Sequence, residues 1–420
     1  MTPARSPLRV CMVHYSDFHI DSRIQRQARA LAERGDQVDL VCLSPPGELR
    51  VGAGIIRVHG VPLAKAAGGA SSYLSGYGRF FLGALRKVTT LERTRRFDVV
   101  EAHNMPDMLT FCGLVPKLRG AKVILNVHDT FPELFATRFE RAGSHPAVRL
   151  VTVQERVSAA FADSVICVTS EAGDRLNERG VGNGRTTIVM NTPDERVFGP
   201  QRAPVRWPTD GPLRAIYHGG LAPRFGVELL IEAVGRLEDD ASRLGLRVCG
   251  TGVEQARLSA LAEALAPGRV DVAPEPVPFA RIPGELEAAH VGVVPTLRDP
   301  FTELLLPVKL LEYVHMGLPA IAPRLPVIER YFSDDELRFF EPDSAASLAQ
   351  AIAAVCADPA AARERAERAA VRLADLAWVR QRERYLALMD GLAGAPTRAQ
   401  PAKGALALRR KSIREAAGTV

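Results

Sequence analysis

The chain has 420 residues, 47% hydrophobic and 24% charged, with a formal net charge of +6. That length exceeds one ordinary core and fits two domains of roughly 150–200 residues. The globular composition, six scattered cysteines without a C-x-x-C pair, and the lack of any run of about 18 apolar residues exclude a disulfide framework and a membrane-spanning helix.

Met1 to Arg9 has no apolar signal-peptide core, so a cytoplasmic protein is expected. The first apolar run, Leu8–Val13, reads as a strand. Asp21–Arg34 then repeats Ile24, Ala28, Leu31 and Ala32 at helical spacing, with Asp21 or Ser22 as cap and Gly35 as stop. Val38–Leu43 is the next strand.

A basic segment follows. Arg79 to Arg96 sums to +5, and Tyr73 to Leu82 sets aromatics beside those cations. Residues 73–96 therefore suit an anionic membrane surface, as interfacial segments do, or an ordinary solvated helix with an apolar inner face. No nucleic-acid motif accompanies the charge, so nucleic acid is not expected as a partner.

Val99–Ala102, Val123–Val127 and Val165–Val168 continue the strands, with helical patterns between them. Continuous apolar strands separated by amphipathic helices imply a parallel sheet covered on both faces. Asn191 to Asp194 and the proline-rich stretch Gly199 to Pro212 suit a linker. The alternation restarts at Leu213–Tyr217, Leu246–Val248, Val270–Val272, Val291–Pro295 and Ala320–Ala322. The expected fold class is α/β, with one Rossmann-like domain over 1–195 and a second over 196–375. A final helix over 376–391, with Trp378, Tyr385 and Met389 on one face, is expected to pack back on the first domain. A basic tail over 392–420, +5 from Thr397 onward, is expected to be disordered. Two such domains put the carboxyl ends of their strands on either side of one cleft.

The richest chemistry lies in Asp299 to Tyr313, with Gly317-Leu318-Pro319 closing it. Pro307 suits the first position of a helix, and Leu306 before it cannot cap, which leaves first-turn amides for an anion such as a diphosphate. Lys309 and Glu312 are three apart and share a face. The ammonium can neutralise phosphate, and the carboxylate can accept two hydrogen bonds from a ribose diol. By themselves they also describe a surface Lys/Glu pair, although Leu304–Leu306 and Leu310–Leu311 argue against a freely solvated helix.

His218-Gly219-Gly220, straight after a strand, lets backbone approach phosphate oxygens, and Arg224 before Gly226 can reach the same anion. A plain strand-to-helix turn would look the same. Gly250-Thr251-Gly252 lacks the third glycine of a dinucleotide fingerprint, with Gln255 in its place, so NAD is weakly supported. Asp239-Asp240 and Asp334-Asp335 lie in polar stretches, and no metal site is expected.

In this order, the Gly-Gly-Leu run with Arg224 and Gly226, Gly-Thr-Gly, and Pro-Val-Lys-Leu-Leu-Glu-Tyr with Gly-Leu-Pro resemble family 4 of the retaining GT-B glycosyltransferases. Asp21-Ser22-Arg23-Ile24, Asn126-Val127-His128-Asp129 with Phe131-Pro132-Glu133, and Asn191 with Pro193-Asp194 are similar too. The resemblance implies a GT-B architecture and metal-independent transfer of a hexose, with retention, from a nucleotide diphosphate sugar to a hydroxyl. No cofactor is implied beyond that donor substrate. Glu312 then corresponds to the ribose-binding carboxylate, Arg224 and Lys309 to the diphosphate cations, His128 to the cleft histidine beside the transferred sugar, and Gly219 and Gly220 to the phosphate loop. Gly252 falls on the donor side, and Asp21, Arg23 and Asp129 on the acceptor side.

Three departures stand out. The position eight before Glu312, where the family carries a glutamate, is Leu304, and Glu303, one residue off register, is the candidate donor contact in its place. The usual Arg and Lys of the glycine loop are Gly220 and Phe225. The first strand runs into His14-Tyr15-Ser16-Asp17 without a glycine-rich loop. His128 also reads as an ordinary structural histidine, and Asp129 either fixes its tautomer or caps the next helix. With no evident nucleophile, the leaving phosphate is expected to help deprotonate the acceptor on the same face.

The acceptor is expected to be a saccharide or a lipid-linked sugar of surface polysaccharide or glycolipid synthesis, met at the inner face of the plasma membrane. A GT-B nucleotide-sugar epimerase and a non-catalytic sugar-nucleotide-binding protein are the alternatives. Pro274 to Pro278 suits a base-facing loop and no more, and base and sugar stay open.

Overall fold

The computed structural model describes residues 6–65, 70–182, 184–208, 212–238, 241 and 243–394. Asp239-Asp240 and the tail from residue 395 lie outside them. The described residues form two sheets.

The first sheet comprises β1 (Arg9–His14), β2 (Gln37–Cys42), β3 (Gly47–Val51), β4 (Gly54–Gly60), β5 (Val99–His103), β6 (Lys122–Val127), β7 (Ser164–Cys167) and β8 (Thr186–Ile188). Their order is β3-β4-β2-β1-β5-β6-β7-β8, parallel except for the β3–β4 hairpin. The second sheet comprises β9 (Leu213–Gly220), β10 (Leu244–Thr251), β11 (Val270–Val272), β12 (Val291–Val293), β13 (Ala320–Pro323) and β14 (Arg338–Phe340). Its order is β11-β10-β9-β12-β13-β14, all parallel. In each sheet the order reverses beside the first strand, and ligands of open α/β sheets bind outside the carboxyl ends at such points.

The central strands of both sheets are buried on both faces, which is why they are largely apolar rather than alternating. Val10, Met12 and Ile124 pack on the side of the helix Ser22–Glu33, and Cys11, Val13 and Val123 on the side of the helix Ala70–Arg95. The helix Ser22–Glu33 is capped by Asp21, whose carboxylate accepts from the Arg23 amide at 3.1 Å. The last helix, Trp378–Leu392, crosses back to the first domain, where Tyr385 and Met389 are fully buried among Val10, Met12, Ile24 and Ile124.

The helix Ala70–Arg95 buries Phe80, Ala84 and Val88 and exposes Arg79, Arg86, Arg93, Leu74 and Leu82. Asp334 is engaged by Arg324 at 2.7 Å. Among the described residues no single helix is long and apolar enough to cross a membrane. The two domains touch beside the cleft, where the Thr169 hydroxyl donates to the Leu304 carbonyl at 2.8 Å and the Ser170 amide donates to the Tyr331 hydroxyl at 2.9 Å.

Candidate active site

A cavity of about 400 Å³ lies between the sheets, bounded by residues from both domains. That volume suits a small-molecule ligand. The second domain supplies His218, Gly219 and Gly220 from the end of β9 and Lys309 and Glu312 from the helix Val308–His315.

The glycine turn is tight. Gly219 has φ of +129°, and a Cβ there would stand 2.9 Å from Lys309 Nζ. Gly226 starts the helix Val227–Gly235 in the left-handed region, φ +67°, where a Cβ would strike the Pro295 carbonyl. At the other strand end Pro307 is the N-cap in extended conformation, not the first helical residue as its fixed φ suggested. No side chain caps this helix, so none competes for its first-turn amides, which can meet an anion.

Lys309 Nζ donates to the Tyr217 hydroxyl at 2.9 Å, and that hydroxyl donates to the Gly220 carbonyl at 2.6 Å. The ammonium lies 4.0 Å from the Tyr217 ring centroid and 5.0 Å from that of Phe225. Burial pushes the lysine down to about 7. Three residues on, Glu312 is buried, with its carboxylate 3.2 Å from His218 Nε2.

The first domain supplies Asp21, Arg23, Arg26, His128 and Asp129. Arg23 grips Asp21 with two hydrogen bonds of 3.0 and 2.8 Å, and His14 Nε2 lies 3.1 Å from the same carboxylate. Burial opposes ionisation of Asp21, but His14 and Arg23 hold its carboxyl far below the usual range. The same burial, helped by Arg23, drives His128 well below an ordinary imidazole, so its ring is neutral. Its Nε2 lies 3.1 Å from His103 Nδ1. Asp129, raised by burial, does not cap the next helix. Thr130 is the N-cap of Phe131–Arg138, without a side-chain bond.

The structure thus brings His128, Asp21, Arg23, Asp129, Gly219, Gly220, Lys309 and Glu312 to one cavity. Arg224 stands at its edge rather than in its lining, its guanidinium 5.1 Å from the Phe225 ring and 6.0 Å from Phe301. Gly252 is not in the lining. A Cβ there would meet the Leu221 carbonyl at 2.2 Å, so this glycine serves close packing of two turns. Glu303, the candidate donor contact, lies outside the lining of this cavity. It sits in the turn before Leu304, is 39% exposed and faces Arg298 at 3.7 Å, while Leu305 and Leu306 line the cavity.

Sequence reasoning passed over His218 as a partner of Glu312, and Arg26. The latter, 5% exposed, donates to the Thr192 carbonyl and hydroxyl and tethers the linker start to the first helix. The signal available for Arg26 was its place one turn after Ser22 on the buried face of a helix that opens at the cleft.

The family model of a glycosyl transferase 4-like domain matches residues 20–192, and that of glycosyl transferases group 1 matches residues 212–358. The chain belongs to this family: it is a retaining nucleotide-sugar glycosyltransferase of family 4 with the GT-B fold. Among solved structures it is similar to sucrose-phosphate synthase from Thermosynechococcus elongatus, at 17% identity and a TM-score of 0.66, covering 98% of this chain and 100% of that one. HepE from Anabaena in complex with UDP matches at 14% identity, TM-score 0.63, over 92% and 99% of the two chains. The catalytic domain of starch synthase IV from Arabidopsis thaliana, bound to ADP and acarbose, matches at 12%, TM-score 0.68, over 93% and 100%. No curated protein matches the sequence.

Proposed function

We propose that the protein moves a hexose from a nucleotide diphosphate sugar to a hydroxyl of a saccharide or lipid-linked acceptor, without a metal, in the synthesis of a surface polysaccharide or glycolipid. The observation that supports the donor half is the meeting of Lys309, Glu312 and the Gly219-Gly220 turn in one interdomain cavity. The diphosphate lies against Lys309, the glycine turn and the uncapped helix amides, which stabilise the charge that develops on the leaving oxygen. Glu312, beside His218, accepts from the ribose diol. The sugar then faces His128 across the cleft. The leaving phosphate takes the acceptor proton on the face it departs from, so retention needs no enzymatic nucleophile.

The acceptor half of the proposal draws on the helix Ala70–Arg95. Exposed Leu74 (74%) and Leu82 (65%) stand among its basic residues, which suits residence at the anionic inner face of the plasma membrane. HepE was solved with UDP and starch synthase IV with ADP, so the donor test spans bases. A thermal-shift panel of UDP-, GDP- and ADP-sugars reads the donor directly. One base series should stabilise the protein, and addition of a lipid-linked sugar acceptor should release the nucleoside diphosphate. Epimerised nucleotide sugar formed without acceptor would overturn transfer in favour of epimerisation, and binding with no turnover on any acceptor would favour a non-catalytic role.

A further inference from the structure

Beneath His128 runs a line of buried polar side chains that the donor site does not use. The register pairs His14 of β1 with His103 of β5, and His103 with Asn126 of β6. Glu101 and His103 are two apart on β5, and Asn126 and His128 are two apart at the end of β6, so each pair shares a face of the sheet. That face is the one covered by the last helix, whose Tyr385 hydroxyl donates to Glu101 Oε2 at 2.6 Å. Asn126 Nδ2 donates to Glu101 Oε1 at 2.7 Å. His103 Nε2 lies 3.7 Å from the same Oε1, beyond hydrogen-bond reach and with no closer partner among the described residues, and His103 Nδ1 lies 3.1 Å from His128 Nε2. Glu101, His103 and Asn126 are fully buried and His128 is 2% exposed.

Two neutral imidazoles joined nitrogen to nitrogen share one proton between them, so only two arrangements exist. In one, His103 Nδ1 donates to His128 Nε2, and the bare Nε2 of His103 faces the carboxylate oxygen. In the other, His103 carries its proton on Nε2, towards Glu101, and accepts from His128 Nε2–H. Glu101 Oε1 already acts as an acceptor towards an amide that can only donate. The second arrangement sets a proton against that oxygen where the first sets a lone pair, and the low dielectric of the interior enlarges the difference. His128 Nδ1 is then an unprotonated acceptor, and it has no partner among the described residues although it is buried.

We propose that Glu101, acting through His103, fixes the tautomer of His128 so that its Nδ1 accepts a hydrogen bond from a hydroxyl of the transferred sugar. This rests on the reading of the cavity as the sugar-nucleotide site. Glu101 and His103 are positioning residues, and Tyr385 brings the final helix into the same arrangement. Asp129, the neighbour in sequence, is not the residue that orients the imidazole.

The test is a long-range ¹H–¹⁵N correlation spectrum of ¹⁵N-histidine-labelled full-length protein, with His128 assigned from the signals lost in His128→Gln. Wild-type His128 should show a protonated Nε2 and an imine-type Nδ1. Glu101→Met is close in size and removes the acceptor that faces His103 Nε2. It should release the line, moving His128 Nδ1 towards the protonated, pyrrole-type position. For the nucleotide sugar that supports turnover, the same variant should lose kcat/KM about tenfold, the worth of one hydrogen bond. Affinity for the corresponding nucleoside diphosphate should be unchanged. A protonated Nδ1 on wild-type His128, or the same tautomer in both proteins, overturns the proposal. The spectrum is recorded without donor or acceptor, so it decides the tautomer whether or not transfer is found.

Discussion

The ammonium of Lys309 and the hydroxyl of Tyr217 lie 2.9 Å apart, under the turn where a side chain on Gly219 would touch the lysine. This fixes the lysine at the end of β9 and leaves its charge without the solvation it would have on a surface. The lysine is therefore poised to take up a proton when an anion arrives.

Burial lowers Lys309 to about 7, and a bound diphosphate favours the ammonium and raises it again. Affinity for a nucleotide sugar, whose diphosphate does not titrate near neutrality, should be flat below pH 7. Above that it should weaken by roughly tenfold for each step of one in pH, about 1.4 kcal/mol every time. Titration calorimetry across pH 6 to 9 measures this, and Lys309→Arg should flatten the profile. The unliganded protein shows the linked effect on stability. Between about 7 and the unfolded lysine value near 10.4, the unfolded chain holds the extra proton, so this group makes stability rise with pH. A pH-independent affinity in the wild type contradicts the assignment.

Gly219→Ala should both strain the turn and displace Lys309. The residue has φ of +129°, a region open to glycine, and its Cβ would stand 2.9 Å from Nζ. We expect a loss of about 1–3 kcal/mol in denaturant unfolding and nucleotide binding weakened more than tenfold at a temperature where the variant is folded. Unaltered binding would place the phosphates elsewhere.

The architecture was legible because both sheets are parallel and covered, which makes each central strand a continuous apolar run. The β3–β4 hairpin was missed because Gly47–Val51 is a short, half-exposed edge without that pattern. β8 and β14 are short edge strands that open on Thr-Thr and on Arg, so neither reads as an apolar run. Lys309 and Glu312 could be read as a pair because three residues on a helix always share a face. His218 beside Glu312, and Glu101 beside Tyr385, are meetings of distant segments, the latter 284 residues apart, and no local spacing announces them. Nothing in the local sequence says which side of the turn at Glu303 and Leu304 faces the cleft, and Leu305 and Leu306 line the cavity instead.

Tyr385→Phe keeps the packing of the last helix and removes the donor to Glu101 Oε2. A buried acceptor left unpaired costs about 1–3 kcal/mol, so urea unfolding should shift by that amount. An unchanged midpoint would mean that the hydroxyl is replaced by another donor and that this contact contributes nothing net.

Attachment to a membrane through the helix Ala70–Arg95 is tested separately. Liposomes with anionic lipid should carry the protein in flotation at low salt and release it as salt rises. Replacing exposed Arg79, Arg86 and Arg93 by Gln, or Leu74 and Leu82 by Ser, should abolish or sharply reduce flotation while leaving nucleotide binding intact. Equal flotation of both variants and the wild type would rule this surface out as a membrane contact.

The central claim is that a nucleoside diphosphate occupies the cavity with its phosphates on Lys309 and its ribose on Glu312. Titration calorimetry with a ribonucleoside diphosphate and its 2′-deoxy analogue, on wild type, Glu312→Ala and Lys309→Ala, tests it most directly. The wild type should prefer the ribonucleotide by about tenfold or more, since hydrogen bonds to a charged group are worth about 1.5–3 kcal/mol. Glu312→Ala should bind both forms equally and weakly, and Lys309→Ala should weaken both alike while keeping the preference. Binding and ribose preference that survive both substitutions unchanged would contradict it.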